Sequence, residues 1–142
     1  MGELHERTFV AGALAIASAA ATCVALAPTA SAADVGVQAC VTSTLTTGYR
    51  GSSTILSKAN STCGDLNLTY SNDTSSRGYD RYAGRLLGSG GWFTCAKGYV
   101  QASDGNHSVN DSRYWLCTDV NSGTRFGIAS YYDGRDTVRI TH

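Results

Sequence analysis

Alternation of apolar and polar positions dominates the chain. Val35, Val37, Ala39, Val41 and Leu45 fall on alternate positions, the period of a strand with one buried face, and Cys40 then points to the other face. Gly48–Ser53 reads as a turn, and Ile55-Leu56 as a short apolar step. Leu66, Leu68 and Tyr70 alternate again, before a polar loop over residues 71–78. Trp92–Gln101 and Arg113–Val120 are aromatic-rich strand segments on either side of a polar connection, and they predict a hairpin centred on residue 106. Arg125–Tyr132 and Thr137–Thr141 flank Asp133-Gly134, a strong hairpin signal. Residues 79–88, YDRYAGRLLG, are the one helix candidate, and Gly84 counts against it. The pattern predicts a single small all-β domain of about six to eight short strands, a barrel or a sandwich.

The N-terminus follows a different pattern. Residues 9–27 carry no charge, Arg7 precedes them, and Ala30-Ser31-Ala32 follows. A basic start, an apolar middle and an A-x-A site describe an export signal. The expected division is a signal peptide over 1–32 and a secreted domain over 33–142. A retained membrane anchor is the rival reading, but the run is Ala-rich and no basic cluster closes it. Cys23 is read as a small apolar filler of the signal.

Removing residues 1–32 leaves 10 Lys+Arg (11 less Arg7) against 9 Asp (11 acids less Glu3 and Glu6), with no Glu, Pro or Met. That near-neutral balance argues against a nucleic-acid partner, and no membrane contact is expected after signal cleavage. Four cysteines remain: Cys40, Cys63, Cys95 and Cys117. Their spacings of 23, 32 and 22 residues lack the close pairs that zinc sites use. An even count in a short exported chain implies two disulfides. Three pairings exist on paper. Cys40–Cys63 with Cys95–Cys117 is favoured, because each pair brackets a local strand–loop–strand. Each bond closes a loop worth about 3 kcal/mol in the chain-entropy model.

No catalytic constellation stands out. General acid–base chemistry draws mostly on His and Glu. Here Glu is absent after cleavage, and the histidines are His107, in a polar loop and read as solvated, and the terminal His142. Gly88-Ser89-Gly90-Gly91 lacks the Asp and the partners of a serine protease. Asp80, Asp104, Asp111, Asp119, Asp133 and Asp136 lie in or beside polar segments, where an ordinary or depressed carboxyl pKa is expected. Nothing in their spacing selects a glycosidase pair. Asp104-Gly105-Asn106 starts like a calcium loop, but Val109 and Trp115 stand where Gly and an acid are needed. Five N-x-S/T triplets, at Asn60, Asn67, Asn72, Asn106 and Asn110, are ordinary in a Ser/Thr-rich chain. The expectation is no enzyme, no metal and no cofactor.

The remaining signal is aromatic. Eight Tyr, two Trp and two Phe lie beyond residue 32, with eight Arg against two Lys. Trp92, Phe93 and Trp115 are expected in the scaffold. Tyr131 and Tyr132 beside Asp133-Gly134-Arg135 form the first candidate binding patch, with Arg135 included. Tyr79 and Tyr82 in Tyr79-Asp80-Arg81-Tyr82 form the second.

Residues 90–134 resemble small SH3-like modules of secreted actinobacterial proteins. Trp92, Phe93 and Cys95 match their first aromatic-plus-Cys strand. Trp115, Thr118 and Asp119 match the Trp strand, and Phe126, Gly127 and Tyr132 the closing strand and turn. The resemblance implies SH3-like barrel elements and a non-catalytic role in binding cell-wall peptide or glycan. The expected function is therefore an extracellular, cell-wall-associated binding module whose partner is a wall polymer or an extracellular protein. The alternative is a secreted inhibitor of a protease or other hydrolase, presenting loop 71–78 or 102–112.

Overall fold

The computed structural model describes residues 39–59 and 62–142. The expected export signal, Cys23, Val35, Val37 and Asn60 lie outside them. Eleven strands make one sheet: β1 (Thr42–Tyr49), β2 (Gly51–Ser52), β3 (Leu56–Ser57), β4 (Leu66–Asn72), β5 (Tyr79–Gly88), β6 (Gly91–Thr94), β7 (Val100–Ser103), β8 (Gly105–Asn106), β9 (Trp115–Cys117), β10 (Arg125–Ser130) and β11 (Thr137–Thr141). A 3-10 turn, Ser112–Tyr114, precedes β9. The all-β expectation holds, and the architecture is a curled half-barrel.

The sheet runs β6-β5-β10-β1-β11-β4-β8. The path ends in the short strands β6 and β8, and two devices bridge the long strands next to them, β5 and β4. At one end β7 pairs with Tyr79–Tyr82 of β5 while β8 pairs with Tyr70 and Ser71 of β4, so the chain crosses from edge to edge through Asp104. At the other end β6 pairs with the late half of β5, β9 pairs with the start of β4, and the Cys95–Cys117 disulfide joins them. Cys40–Cys63 is the second disulfide. Both pairings match the sequence expectation, for a reason that differs in one case. Cys95 and Cys117 do not lie across a hairpin, because β6 and β9 never pair; they close the curl of the sheet.

Two other expectations change. Residues 79–88 form a strand. Asp80, Tyr82 and Gly84 face inward and Tyr79, Arg81 and Arg85 face outward, so the strand period is present but polar residues obscure it. Gly84 is required there: a Cβ would lie 2.1 Å from the Cys117 Sγ, so only glycine lets the disulfide cross β5. Asp133-Gly134 does not turn a hairpin either. β10 and β11 sit on opposite sides of β1, and the loop between them passes over the end of β1, where a Cβ on Gly134 would meet the Tyr49 amide nitrogen at 2.8 Å. Thr47 ties that loop down. Its amide donates to the Asp136 carbonyl at 2.9 Å, its carbonyl accepts from the Arg135 amide at 3.0 Å, and its hydroxyl accepts from the Asp136 amide at 3.1 Å.

The core is apolar in the middle of the curl. Leu45, Leu66, Leu68, Leu116, Phe126, Ile128, Val138 and Ile140 are fully buried and pack together. Trp92 and Trp115 are half-buried, whereas Phe93, expected in the scaffold, is half-exposed on the outer face of β6.

Candidate functional site

At the end of the sheet bridged through Asp104, β1, β4 and β10 finish and β5 and β11 begin. Four segments meet there: the loop after β4, the start of β5, the loop 131–136 and the turn at Tyr49-Arg50. They build two layers, an outer layer of tyrosines and arginines and an inner layer of carboxylates.

The outer layer is continuous. Tyr79 meets Tyr132 edge-on with ring centroids 6.1 Å apart; Tyr132 meets Tyr131 at 5.2 Å, and Tyr131 meets Tyr99 at 5.2 Å. Arginines lie against the rings. The Arg77 guanidinium is 4.6 Å from the Tyr132 centroid, and that of Arg50 is 4.5 Å from Tyr131 and 5.2 Å from Tyr49. Arg81 sits 5.9 Å from both Tyr131 and Tyr132. Such contacts hold flat, hydrogen-bonding side chains at a surface and restrict the long Arg chains. Burial raises the Tyr99 hydroxyl pKa, against the opposing charges of Arg85 and Arg50. Arg135 lines a groove of about 540 Å³ with Tyr49, Thr74, Ser75 and Asp133.

The structure thus brings Tyr79, Tyr131 and Tyr132 together and sets Arg135 beside them. Tyr82 is a correction. Strand alternation turns it inward, and it is 0% exposed. Sequence reading missed Tyr49, Arg50, Arg77 and Tyr99. They are far apart in the chain, and only the parallel pairing of β1 with β10 and the pairing of β5 with β7 gathers them.

The inner layer is Asp73, Asp80, Asp133 and Asp136, of which Asp73, Asp80 and Asp136 are buried. Asp80 supports the outer layer directly: its Oδ1 accepts from the Tyr131 amide at 3.3 Å and the Tyr132 amide at 3.1 Å. Asp136 Oδ1 accepts from the Thr74 amide at 3.0 Å and its hydroxyl at 3.2 Å. Asp73 accepts from the Ser75 amide and hydroxyl and has Arg77 at 3.8 Å; Arg77 also stands 3.6 Å from Asp133. Burial works to raise the Asp73 pKa, but the Ser75 hydrogen bonds and Arg77 outweigh it and hold the group below the usual carboxylate value. Burial raises Asp133, the charges of Asp73 and Asp80 add to it, and Arg77 opposes. Burial pushes Asp136 up to about 6 despite its bonds from Thr74, with Asp133 and Asp80 adding to the rise. The expectation of ordinary or depressed carboxyls therefore fails for Asp133 and Asp136. The polar segments that carry them fold inward.

His107 is a further correction. It is half-buried, with Nε2 2.9 Å from the Ser71 hydroxyl and its ring stacked 4.1 Å from Tyr114, and burial lowers its pKa against the pull of Asp111. Asp104 accepts from the Asp73 amide at 2.7 Å.

No family model, characterised protein or solved structure matches the chain.

Proposed function

We propose that this protein is an extracellular, non-enzymatic binding domain that takes cell-wall peptide or glycan on its Tyr–Arg surface. The observation that carries this reading is the unbroken run Tyr79–Tyr132–Tyr131–Tyr99 with guanidinium groups on it and a polar groove alongside. Tyrosine rings stack on sugar faces and peptide planes while their hydroxyls hydrogen-bond, at a low cost in side-chain entropy. Arginines add forked recognition of carboxylates, which wall peptides carry. The surface is preorganised, since Asp80 fixes the Tyr131 and Tyr132 backbones from beneath, and preorganisation lowers the ordering cost of binding. Two disulfides fit an extracellular location.

The test is co-sedimentation of the oxidised protein with purified insoluble cell walls at low and high salt. The reading expects retention that persists at high salt and falls at least tenfold in Tyr131→Ala/Tyr132→Ala. The double variant should keep its Tm within a few degrees. Retention that vanishes with salt would indicate charge attraction alone. No retention at either salt would contradict wall binding, and inhibition of secreted hydrolases would then be the reading to test.

A further inference from the structure

We propose that Asp73, Asp80, Asp133 and Asp136 together hold one divalent cation, and that the ion they fit is Ca²⁺. The site lies beneath the Tyr–Arg surface and does not depend on what that surface binds. One oxygen from each of the four carboxylates lies within 4.8 Å of the others. Oxygens on opposite sides of a Ca²⁺ stand about 4.6–5.2 Å apart, and across Mg²⁺ about 4.0–4.2 Å. That limit admits either ion, and the choice falls to Ca²⁺ because four protein carboxylates make an all-protein oxygen cage, whereas Mg²⁺ keeps several waters and is held by one or two carboxylates. The donors are all oxygens, with no His or Cys among them, which selects a hard cation over zinc or copper.

The hydrogen-bond inventory points the same way. Asp80 Oδ2, Asp133 Oδ1 and Asp136 Oδ2 are buried and have no partner among the described residues. One oxygen of Asp80 and one of Asp136 are spent on backbone donors, which aims the other toward the cluster. Tyr82 supplies an independent sign. Its side chain is 0% exposed, and its hydroxyl reaches toward Asp136, near Asp80 and Asp73, without completing a hydrogen bond to any of them. A buried hydroxyl and three buried carboxylate oxygens left unserved are unusual in a folded interior. A cation with its bound water serves all four at once.

Charge balance supports occupancy. Among the described residues Arg77 is the one cation in ion-pair contact with the set, and it reaches Asp73 and Asp133 at 3.8 and 3.6 Å. Three carboxylate charges are left over when all four are ionised. A divalent ion leaves one. Access is provided by Asp133, which is half-buried and lines the open groove. A bound ion would tie the loop after β4, the start of β5 and the loop 131–136 to one point.

The experiment is calorimetric titration of chelator-treated, oxidised protein with CaCl₂ and with MgCl₂ at pH 7 in moderate salt. The expected result is one Ca²⁺ per chain, with Kd about 10⁻⁴–10⁻³ M as in other extracellular modules, and Mg²⁺ at least tenfold weaker. Asp133→Asn, on a loop, should weaken Ca²⁺ at least tenfold while keeping the folded far-UV spectrum. Asp136→Asn should do the same, and Asp119→Asn, exposed elsewhere, should change nothing. No binding at 10-fold the upper Kd, equal affinity for Mg²⁺, or affinity indifferent to both Asp133→Asn and Asp136→Asn would overturn the proposal.

Discussion

The two ends of this sheet are closed by opposite chemistry. At one end a disulfide and an apolar cluster meet: Cys95–Cys117 crosses Gly84, and Leu116 and Leu66 lie beneath it. At the other end the interior is four carboxylates and a buried tyrosine hydroxyl. The first end owes its stability to area removed from water and to a covalent bond, neither of which responds to ions or to mild changes of pH. The second is folded against like-charge repulsion, so its stability depends on what neutralises it. The Tyr–Arg surface stands on the second end. The Tyr–Arg surface is thus mounted where the fold is conditional and braced from where it is not.

The largest effect that bears on this contrast belongs to the apolar interior. Phe126→Ala should cost about 3–5 kcal/mol by denaturant melts, with the same loss in calcium and in chelator. A loss that differs between the two conditions would dissolve the contrast. Gly84→Ala comes next, at about 1–3 kcal/mol, because its Cβ lands on the Cys117 sulfur. Most of that cost should vanish in a Cys95→Ala/Cys117→Ala background, and a cost that survives there would move the constraint elsewhere.

Asp136→Asn should change sign with conditions. It removes one of four clustered charges, so it should raise Tm in chelator and lower it in saturating calcium, each change on the order of 1 kcal/mol or about 4–8 °C for a domain this size. One sign under both conditions would contradict the account of the acidic end.

The smallest effect concerns His142. It is buried, and its Nδ1 accepts from the Ala59 amide at 3.1 Å. Burial, then the nearby charge of Lys58, lowers its pKa below the ordinary histidine value of 6.5. A depressed histidine binds its proton more readily unfolded, so its contribution is intact above about pH 6.5 and declines as pH falls below that value. Asp136 works in the opposite sense: its raised carboxyl contributes below about pH 4 and loses that contribution as pH rises through about 6. The two overlap, so the check is a difference. His142→Asn, which keeps an acceptor for Ala59, should lose less stability than the parent between pH 6.5 and 5. An equal loss would remove His142 from the pH response.

The apolar end was largely legible in the chain. Leu66 and Leu68 alternate as their strand requires, and both cysteine pairings were expected, Cys95–Cys117 from a hairpin that does not form. Pairing order was not legible. Asp133-Gly134 carries every local mark of a hairpin, yet β1 inserts between β10 and β11, and only long-range packing decides that. The strand at 79–88 was obscured because its inward positions are Asp80, Tyr82 and Gly84, none of which announces a buried face. The acidic end was hidden for the same reason. Its residues are single aspartates in polar segments, separated by seven, 53 and three positions along the chain, and no spacing rule joins them. The surface tyrosines were partly visible, since Tyr131 and Tyr132 are adjacent in sequence, but Tyr99 and Tyr49 reach them through strand pairing alone.

The most direct test of this account is amide hydrogen exchange measured residue by residue, in chelator and in saturating calcium. The account predicts slowing concentrated at the amides that Asp80 and Asp136 hold, namely Thr74, Tyr131 and Tyr132. Protection at Phe126, Ile128 and Val138 should rise only as far as global stability does. Unchanged exchange at Thr74, Tyr131 and Tyr132, or an increase no larger there than in the apolar core, would contradict it.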